Sequence, residues 1–337
     1  MKIAHNSSHV LVTGGAGFIG SHLVDALVAA GCTVRVIDNF RNGRRENLAA
    51  AVQTGKVEVI EGDIVDLATC RRAVAGTSVV FHLACLGVRH SLHDPLENHQ
   101  VNALGSLNLL IAARETKLRR FLYMSTSEVY GAALTFPLTE AATTWPTTVY
   151  GASKLAGEHY AAAYHTCFGV PTVRVRTFNN YGPRAHFAGD SGEVIPRFIL
   201  RALAGEAPVI FGDGGHTRDF LFVRDCAEAL ITIAESDALV GDLVNLGYGE
   251  EIRIDALAAL VLSALGRTDL RPVHQPDLPG DVPRLWVKPD KIRAATGFKP
   301  KTLPAEGLRQ TVAYYRSLFE KDPNLLAGMQ TRNWEKA

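Results

Sequence analysis

The chain has 337 residues, of which 47% are hydrophobic, and its formal net charge is +1. This length allows two domains or one large α/β unit, and the near-neutral charge offers no electrostatic basis for binding nucleic acid or an anionic membrane surface. Five scattered cysteines without a C-x-x-C pair, together with the lack of a long apolar run or a signal-peptide pattern, predict a soluble, unprocessed cytoplasmic protein.

The first predicted element is a buried strand, Val10–Thr13, which breaks into glycines and restarts as a helix at Phe18. Gly14 allows a tight turn, Gly17 lets the backbone approach a pyrophosphate, and Gly20 lets the helix pack on the strand. The phosphates are then expected on the free N–H groups of the helix N-terminus. This segment predicts a dinucleotide cradle.

The second predicted strand, Thr33–Ile37, ends at Asp38, 18 residues after Gly20. An acidic side chain at this point accepts hydrogen bonds from both hydroxyls of an adenosine ribose and repels a 2′-phosphate, so NAD is predicted rather than NADP. A glycine-rich turn without a ligand would not explain a strand, a helix and an acid in register. A phosphate site stays open as an alternative because of three nearby arginines: Arg41, Arg44 and Arg45.

The same alternation of strand and helix continues along the chain. Further strands are predicted at Val57–Glu61, Val79–Ala84, Phe121–Ser125 and Thr172–Arg176, and helices at Phe18–Ala30, Leu67–Val74, Glu97–Glu115 and Val149–Cys167. Six strands separated by helices predict an α/β fold with a doubly wound parallel sheet that is covered on both faces.

After Phe178, prolines and glycines divide the chain into short pieces, which predicts a smaller α/β domain that completes a site. A helix at Asp225–Ala234 and a strand at Leu243–Gly247 predict that the chain re-enters the first domain. We therefore expect a dinucleotide-binding domain at 1–178, re-entered around 225–250. The substrate domain is expected at 179–224 and 251–320, with helices at Leu257–Leu265 and Pro304–Leu318, and a polar tail at 321–337.

Tyr150 and Lys154 are spaced one turn apart on a predicted helix, so the ammonium can lie beside the phenol. A close positive charge lowers the pKa of a phenol, which is about 10 when free, and prepares it to take a proton from a substrate hydroxyl. Ser125, Thr126 and Ser127 end the preceding strand and offer a hydroxyl to the same oxygen. Tyr-x-x-x-Lys alone also fits an ordinary helix surface, but behind a dinucleotide cradle it predicts hydride transfer.

Seven motifs between Val10 and Tyr315 resemble the extended short-chain dehydrogenase/reductase family, and within it the nucleotide-sugar epimerases, dehydratases and decarboxylases. The motifs are TGGAGFIG from Thr13, GDI from Gly62, HLA from His82, STSEVYG from Ser125, YGASK from Tyr150, FNNYGPR from Phe178 and TRDFLFVRD from Thr217. The resemblance implies a Rossmann NAD-binding domain, a smaller nucleotide-sugar domain, and a homodimer formed through the predicted helices Glu97–Glu115 and Val149–Cys167.

The resemblance also implies roles for single residues. Asp63 and Ile64 would contact the adenine, Leu83 and Ala84 would line the dinucleotide, and Lys154 would also hold the nicotinamide ribose. Phe18, Ile19 and Asn39 complete the expected cofactor contacts. The substrate is expected on Asn179, Arg218 and Arg284, with both arginines on its diphosphate, and on Arg89, Ser127, Arg184, Glu193 and Val194. The plain alternative for Arg284 is a solvated loop cation.

Family members first oxidise the sugar at C4, and the residue that bears on the next step is Glu128. Its Thr126-Ser127-Glu128 triplet resembles that of UDP-glucuronate decarboxylases, in which the 4-ketone makes the C6 carboxylate a β-keto acid. The same triplet occurs in dehydratases acting on GDP-mannose. Dehydratases of dTDP-glucose usually have Asp in place of Ser127, so that substrate is disfavoured. The expected catalytic set is Thr126, Glu128, Tyr150 and Lys154.

Two further stretches bear on the reaction. Residues 181–186 and 192–206 resemble the decarboxylases, whereas Gly87–Ser91 resembles UDP-glucuronate 4-epimerases, and there Arg89 would pair with a sugar carboxylate. We expect a UDP-glucuronate decarboxylase that gives UDP-4-keto-xylose or UDP-xylose. The alternatives are 4-epimerisation of a UDP-hexuronate or UDP-hexose and 4,6-dehydration of an NDP-hexose.

Other reactive side chains carry weaker predictions. No carboxylate or thiolate joins His82, His90, His93, His99 and His186 at ligand spacing, so no metal is expected. Cys85 is expected to be a small buried side chain. A dinucleotide-binding protein without enzymatic activity is disfavoured, because such proteins commonly lose the Tyr/Lys pair and this chain retains it.

Overall fold

The structure is a computed structural model, and it describes residue 3 and residues 9–327 and 329–335. The strands are β1 His9–Thr13, β2 Thr33–Asp38, β3 Val57–Glu61, β4 Val79–His82, β5 Arg120–Thr126, β6 Thr172–Thr177, β7 Asn179–Tyr181, β8 Val209–Phe211, β9 Thr217–Phe222, β10 Leu243–Leu246, β11 Glu251–Arg253, β12 Val273–Gln275 and β13 Arg284–Leu285. The helices are α1 Phe18–Ala29, α2 Ala49–Gln53, α3 Leu67–Val74, α4 Val88–His93, α5 Pro95–His99, α6 Gly105–Arg114, α7 Val149–Phe168, α8 Val194–Leu203, α9 Val223–Glu235, α10 Ile254–Leu265, α11 Asp290–Thr296 and α12 Pro304–Lys321.

Seven strands form one parallel sheet in the order β3-β2-β1-β4-β5-β6-β10. The predicted doubly wound α/β sheet is confirmed. The direction of winding changes between β1 and β4, and ligands bind in the crevice that such a switch point opens at the carboxyl ends of the strands. β10 pairs with β6 in this sheet, so the chain returns to it after the excursion through β7, β8 and β9.

Several predicted elements differ from the observed ones in their bounds, and two of these differences lie beside the crevice. β4 ends at His82 instead of Ala84: the Ala84 N–H group donates to the Thr13 side-chain oxygen, and the Leu83 N–H group is shared between that oxygen and the Thr13 backbone carbonyl. The helix predicted at Glu97–Glu115 is divided into α5 and α6 by a wider π-helical segment over 100–104. Such segments are frequent at functional sites.

The division of that helix serves the loop that follows β4. The Asn102 amide group accepts from the Leu86 N–H group and donates to the Leu86 carbonyl, both at 2.9 Å. Asn98 donates to the carbonyls of Leu86 and Gly87, and Ser153 on α7 donates to the Asn98 side chain. These buried amides fix the loop over the crevice, because each satisfies backbone groups that no strand pairs.

A second, smaller group of elements covers the crevice. β11, β9 and β13 pair in that order, β7 also pairs with β9, and β8 pairs with β12. Helices α8, α10 and α12 pack around them on a core that includes Phe198, Phe222, Leu257 and Tyr315. Within the described ranges, none of the helices has the length and apolar character needed to span a membrane.

Candidate functional site

The turn between β1 and α1 is shaped for close approach of a ligand. Gly14 has a φ of +67°, and a Cβ atom there would lie 2.8 Å from the Ala84 Cα atom. A Cβ atom on Gly20 would overlap the Gly14 carbonyl. Helix α1 begins after Gly17 without a side-chain cap, which leaves N–H groups of its first turn open to an anion. These features fit a dinucleotide pyrophosphate.

Asp38 ends β2 at the rim of this cradle. Its Oδ2 atom accepts the Ala16 N–H group at 2.9 Å, and its Oδ1 atom accepts the Phe40 N–H group at 2.8 Å. These bonds hold the carboxylate in place with lone pairs to spare for the hydroxyls of a ribose. Burial raises the pKa of Asp38, while the two backbone N–H groups oppose that rise.

The three arginines that kept a phosphate site open are engaged elsewhere. Arg41 pairs with Glu97, and Arg45 pairs with Glu61 at 2.5 Å. Arg44 lies 4.9 Å from the centre of the Phe187 ring. Arg41 nevertheless lines the same cleft as Asp38, so the preference for an unphosphorylated ribose rests on the Asp38 carboxylate.

The cradle opens into a cleft of about 420 Å³, which we call the cofactor cleft. All thirteen predicted cofactor residues line it: Gly14, Gly17, Phe18, Ile19, Gly20, Asp38, Asn39, Asp63, Ile64, Leu83, Ala84, Tyr150 and Lys154. Asn39 donates to the Asp63 carboxylate at 2.9 Å, so the end of β2 and the turn after β3 are joined at this end of the cleft.

A buried network that the motifs did not reveal supports the wall of the cleft. Thr13 Oγ1 accepts the N–H groups of Leu83 and Ala84 at 3.1 Å, so its own proton goes to His82 Nδ1 at 2.8 Å. His82 Nε2 then donates to Ser106 Oγ at 2.9 Å. Burial holds the pKa of His82 well below its usual value, so the imidazole is neutral. The network fixes the backbone that faces the ligand.

Tyr150 and Lys154 lie on the first turns of α7, which begins at a Thr148 side-chain cap. The Lys154 ammonium lies 4.7 Å from the centre of the Tyr123 ring and is almost fully buried. The expected lowering of the phenol pKa is wrong for the protein alone: burial raises the pKa of Tyr150, and a hydrogen bond with Thr126 opposes the rise. Burial also lowers the pKa of Lys154. Cys85 and Glu128 add to the rise of the Tyr150 pKa, so the desolvation of the phenolate is its main cause.

Cys85 also differs from its prediction. Its side chain is exposed and lines the cofactor cleft near Tyr150 and Lys154. The reason is its position beyond the end of β4, where the chain has left the sheet and borders the crevice.

A second cavity of about 330 Å³, which we call the adjoining cavity, meets the cofactor cleft. Five residues line both spaces: Phe18, Ile19, Val88, Arg89 and Glu193. The predicted residues Glu128, Asn179, Val194 and Arg218 line the adjoining cavity as well. The sequence therefore identified side chains from β7, β9, α4 and α8 that the fold brings together.

Glu128 is the acid of the adjoining cavity. Burial raises the pKa of its carboxyl group, and Asp281 adds to the rise, while Arg218 and Arg89 oppose it. No described residue forms a hydrogen bond or ion pair with this carboxyl group. Arg218 pairs instead with Asp281 at 2.5 Å, and Asp281 also contacts His216 at 3.1 Å. Asp281 and His216 were not predicted, because no motif connects them to the site.

Four predicted residues lie outside the linings of both spaces. Arg184 pairs with Asp25 on α1 at 2.8 Å. Arg284 pairs with Glu251 and lies 4.6 Å from the centre of the Phe136 ring. The other two, Thr126 and Ser127, are buried at the end of β5. Thr126 still reaches the site through its hydrogen bond with Tyr150.

Two of the histidines form a cluster with a carboxylate that the sequence did not indicate. Ligand atoms of His90, His93 and Asp190 all lie within 4.8 Å of one another. The expectation that no carboxylate joins these histidines is wrong, because the fold brings Asp190 from a distant loop. Arg41 Nη2 lies 3.2 Å from His90 Nε2, and His93 Nε2 lies 3.1 Å from the Asp190 carboxylate. The cluster thus already holds a cation and internal hydrogen bonds.

Comparison with known proteins agrees with this geometry. Residues 10–247 match the NAD dependent epimerase/dehydratase family. A UDP-glucose 4-epimerase of Mycolicibacterium smegmatis is 37% identical over 310 residues, which cover 91% of this chain and 98% of that protein. A UDP-N-acetyl-alpha-D-glucosaminuronate decarboxylase of Bacillus cytotoxicus is 36% identical over 326 residues, which cover 91% and 98%. A solved UDP-glucuronic acid 4-epimerase of Bacillus cereus, in complex with UDP-glucuronic acid and NAD, matches with a TM-score of 0.86 and 30% identity, covering 92% of this chain and 99% of that one.

Proposed function

The chain belongs to the NAD dependent epimerase/dehydratase family, and from this premise we propose that it is a decarboxylase of a UDP-hexuronate. The proposed substrate is UDP-glucuronate, and the product is UDP-4-keto-xylose or UDP-xylose. The observation that carries the proposal is Glu128, whose half-buried carboxyl group has a raised pKa and lines the cavity that Arg89 and Arg218 also line. The decarboxylase of Bacillus cytotoxicus, at 36% identity, supports it.

The first step is oxidation of the sugar at C4. NAD, when bound, supplies the hydride acceptor. Tyr150 takes the proton of the C4 hydroxyl. Thr126 positions the phenol for this transfer through its hydrogen bond with Tyr150. Because burial raises the pKa of Tyr150, formation of the phenolate during the reaction needs a positive charge nearby. Lys154, one helical turn away, is the cation that the chain provides.

The second step is loss of carbon dioxide from the β-keto acid. The C5–C6 bond breaks, and its electron pair is delocalised into the 4-ketone. C5 then needs a proton, and the raised pKa favours the protonated form of Glu128 that can supply it. We assign this proton transfer to Glu128 because its carboxyl group has no competing partner among the described residues.

A 4-epimerase is the second candidate, and the relative from Mycolicibacterium smegmatis at 37% identity favours it. Such an enzyme turns the 4-ketone over and returns the hydride, which requires no acid at C5. It would leave Glu128 without a role. Dehydration of an NDP-hexose at C4 and C6 is the third candidate.

Product analysis tests these candidates. The purified enzyme is incubated separately with UDP-glucuronate, UDP-glucose, dTDP-glucose and GDP-mannose, and the products are identified by mass spectrometry. We expect UDP-glucuronate to lose carbon dioxide and the other three to remain unchanged. Interconversion of UDP-glucuronate with UDP-galacturonate, without gas release, would replace decarboxylation with 4-epimerisation, and loss of water from a hexose would replace it with dehydration.

We also infer a homodimer formed around α6 and α7. Four large apolar side chains near these helices are exposed: Leu96, Leu104, Val149 and Phe168. A dimer through this surface would remove them from water. Sedimentation of the wild-type protein at two concentrations tests the inference, and a monomer at both would contradict it.

A further inference from the structure

The last described residues form a strap across the adjoining cavity. We call residues 329–335 the C-terminal strap. Although a polar tail was predicted here, Asn333 and Trp334 are buried, and Thr331 and Asn333 line the adjoining cavity. The Trp334 ring packs edge-on against Phe211 with ring centres 4.7 Å apart. The strap is therefore part of the wall of the site.

Arg197 on α8 connects the strap to the interior of the cavity. Its Nη2 group donates to the carbonyl oxygens of Gln330 and Thr331, at 2.7 and 2.9 Å. Its Nη1 group is buried and has no hydrogen-bond partner among the described residues. The strap thus fixes one arm of the guanidinium and leaves the other free at the cavity wall.

Arg89 is a second cation of the same kind. It lines the cavity, and its Nε group is buried without a hydrogen-bond partner in the described part of the chain. Burial lowers the pKa of Arg197 to about 10, with a further contribution from Arg89. Burial also lowers the pKa of Arg89, while the charges of four carboxylates oppose that change: Glu193, Asp281, Asp190 and Glu128. Neither forms an ion pair with a described residue, unlike Arg218, which pairs with Asp281. Burying such cations is costly unless an anion neutralises them.

The strap also holds a loop that reaches the cofactor cleft. The Asn333 side chain donates to the Gly189 carbonyl at 2.7 Å. The adjacent residues Asp190 and Ser191 line the cofactor cleft, and Asp190 contacts His93 on α4 at 3.1 Å. The strap is therefore connected, through the loop that contains Gly189 and Asp190, to the cofactor cleft and to α4.

We propose that Arg197, held by the C-terminal strap, forms with Arg89 an anion-binding subsite for the sugar nucleotide. The inference rests on the nucleotide-sugar site of the proposed function, but not on which reaction follows C4 oxidation. The anionic oxygens come either from the diphosphate or from the carboxylate of a hexuronate. Both would accept charge-assisted hydrogen bonds from the free Nη1 group.

Binding of UDP, UDP-glucose and UDP-glucuronate, measured by titration calorimetry, tests the subsite without requiring turnover. The variants are Arg197→Gln, a chain ending at residue 328, and the two combined. Arg309→Gln, on the exposed face of α12, is the matched control. Circular dichroism and NAD binding show whether each variant is folded, and Arg197→Gln keeps the test valid if the shortened chain unfolds.

We expect Arg197→Gln to weaken UDP-glucuronate binding roughly 10- to 100-fold, the usual effect of losing a hydrogen bond to a charged group. The shortened chain should show a similar loss, and adding Arg197→Gln to it should change little more, because the strap acts through Arg197. Equal loss for all three ligands assigns the subsite to the diphosphate, whereas loss confined to UDP-glucuronate assigns it to the carboxylate.

Unchanged binding in Arg197→Gln, or the same loss in Arg309→Gln, would overturn the proposal. A loss in the shortened chain that Arg197→Gln does not reproduce would also overturn it. Wild-type protein that binds the UDP ligands but releases no carbon dioxide would instead contradict the proposed decarboxylation, and the comparison of variants would still decide the subsite.

Discussion

Glu158 and Arg176 form a buried two-point ion pair between α7 and β6, with Nε–Oε1 and Nη2–Oε2 distances of 2.9 and 2.8 Å. Ser125 on β5 donates to the same carboxylate. The pair is hidden from water and ties the helix that carries Tyr150 and Lys154 to the end of the sheet. The position of α7 thus depends on a contact behind the site.

We expect Glu158→Gln to lower the free energy of unfolding by about 3–5 kcal/mol, because it leaves the buried Arg176 guanidinium without a counter-charge. Urea denaturation followed by circular dichroism measures this change. Glu306→Gln, which removes the partner of the exposed Arg309, is the control and should leave the unfolding midpoint almost unchanged. Equal midpoints for the two variants would contradict the prediction.

We expect Tyr150→Phe to abolish turnover while NAD remains bound, because it removes the proton acceptor and almost no volume. Cofactor content after gel filtration and the rate of product formation measure the two effects. Tyr160→Phe, on the same helix but outside both cavity linings, should retain activity. Normal turnover in Tyr150→Phe would mean that another group takes the hydroxyl proton.

We expect Glu128→Gln to slow carbon dioxide release by roughly 10²–10⁴-fold, the usual contribution of one acid/base group. Oxidation at C4 should be less affected, so NADH should become detectable by absorbance on mixing with UDP-glucuronate. Glu58→Gln, on an exposed part of β3, serves as the control. If wild-type protein and Glu128→Gln interconvert UDP-glucuronate and UDP-galacturonate equally well, the acid is dispensable and the protein is a 4-epimerase.

We expect Asp38→Asn to reduce the preference for NAD over NADP by roughly tenfold, since it removes the charge that repels a 2′-phosphate. Fluorescence titration with each dinucleotide gives the ratio of dissociation constants. Asp25→Asn, which breaks the partly exposed ion pair between Asp25 on α1 and Arg184, is the control. Tighter binding of NADP than of NAD by the wild-type protein would contradict the role of Asp38.

His22 predicts a loss of stability in acid. Burial lowers its pKa to about 4, and its neutral ring contacts the Pro183 carbonyl through Nε2 at 2.9 Å. In the unfolded chain His22 takes up a proton near pH 6.5. The neutral ring therefore contributes fully to the free energy of unfolding above that pH, and this contribution falls by about 3 kcal/mol as the pH drops toward 4.

Urea denaturation between pH 7 and pH 4 tests this dependence. His22→Gln should be less stable at pH 7 but should lose less stability on acidification. In His22→Gln the free energy of unfolding should still fall somewhat with pH, because burial also lowers the pKa of His82. An identical slope in wild type and His22→Gln would show that His22 does not contribute.

The sequence by itself determined the sheet and the residues of the cofactor cleft. The glycine turn after β1 and the acid at the end of β2 are encoded in short segments, and parallel strands bring the ends of such segments to one edge. For this reason all thirteen predicted cofactor residues line one cleft. Their individual contacts with NAD stay predictions.

Only the tertiary structure decided which side chains have partners and which are deprived of water. Asp190 meets His93 from 97 residues away, and Asn333 meets Gly189 from 144 residues away. The sequence placed Tyr150 and Lys154 on one helix face, but not the burial that raises the pKa of the phenol. Spacing along a helix or strand fixes direction locally, whereas desolvation and long-range pairing depend on everything that packs around a side chain.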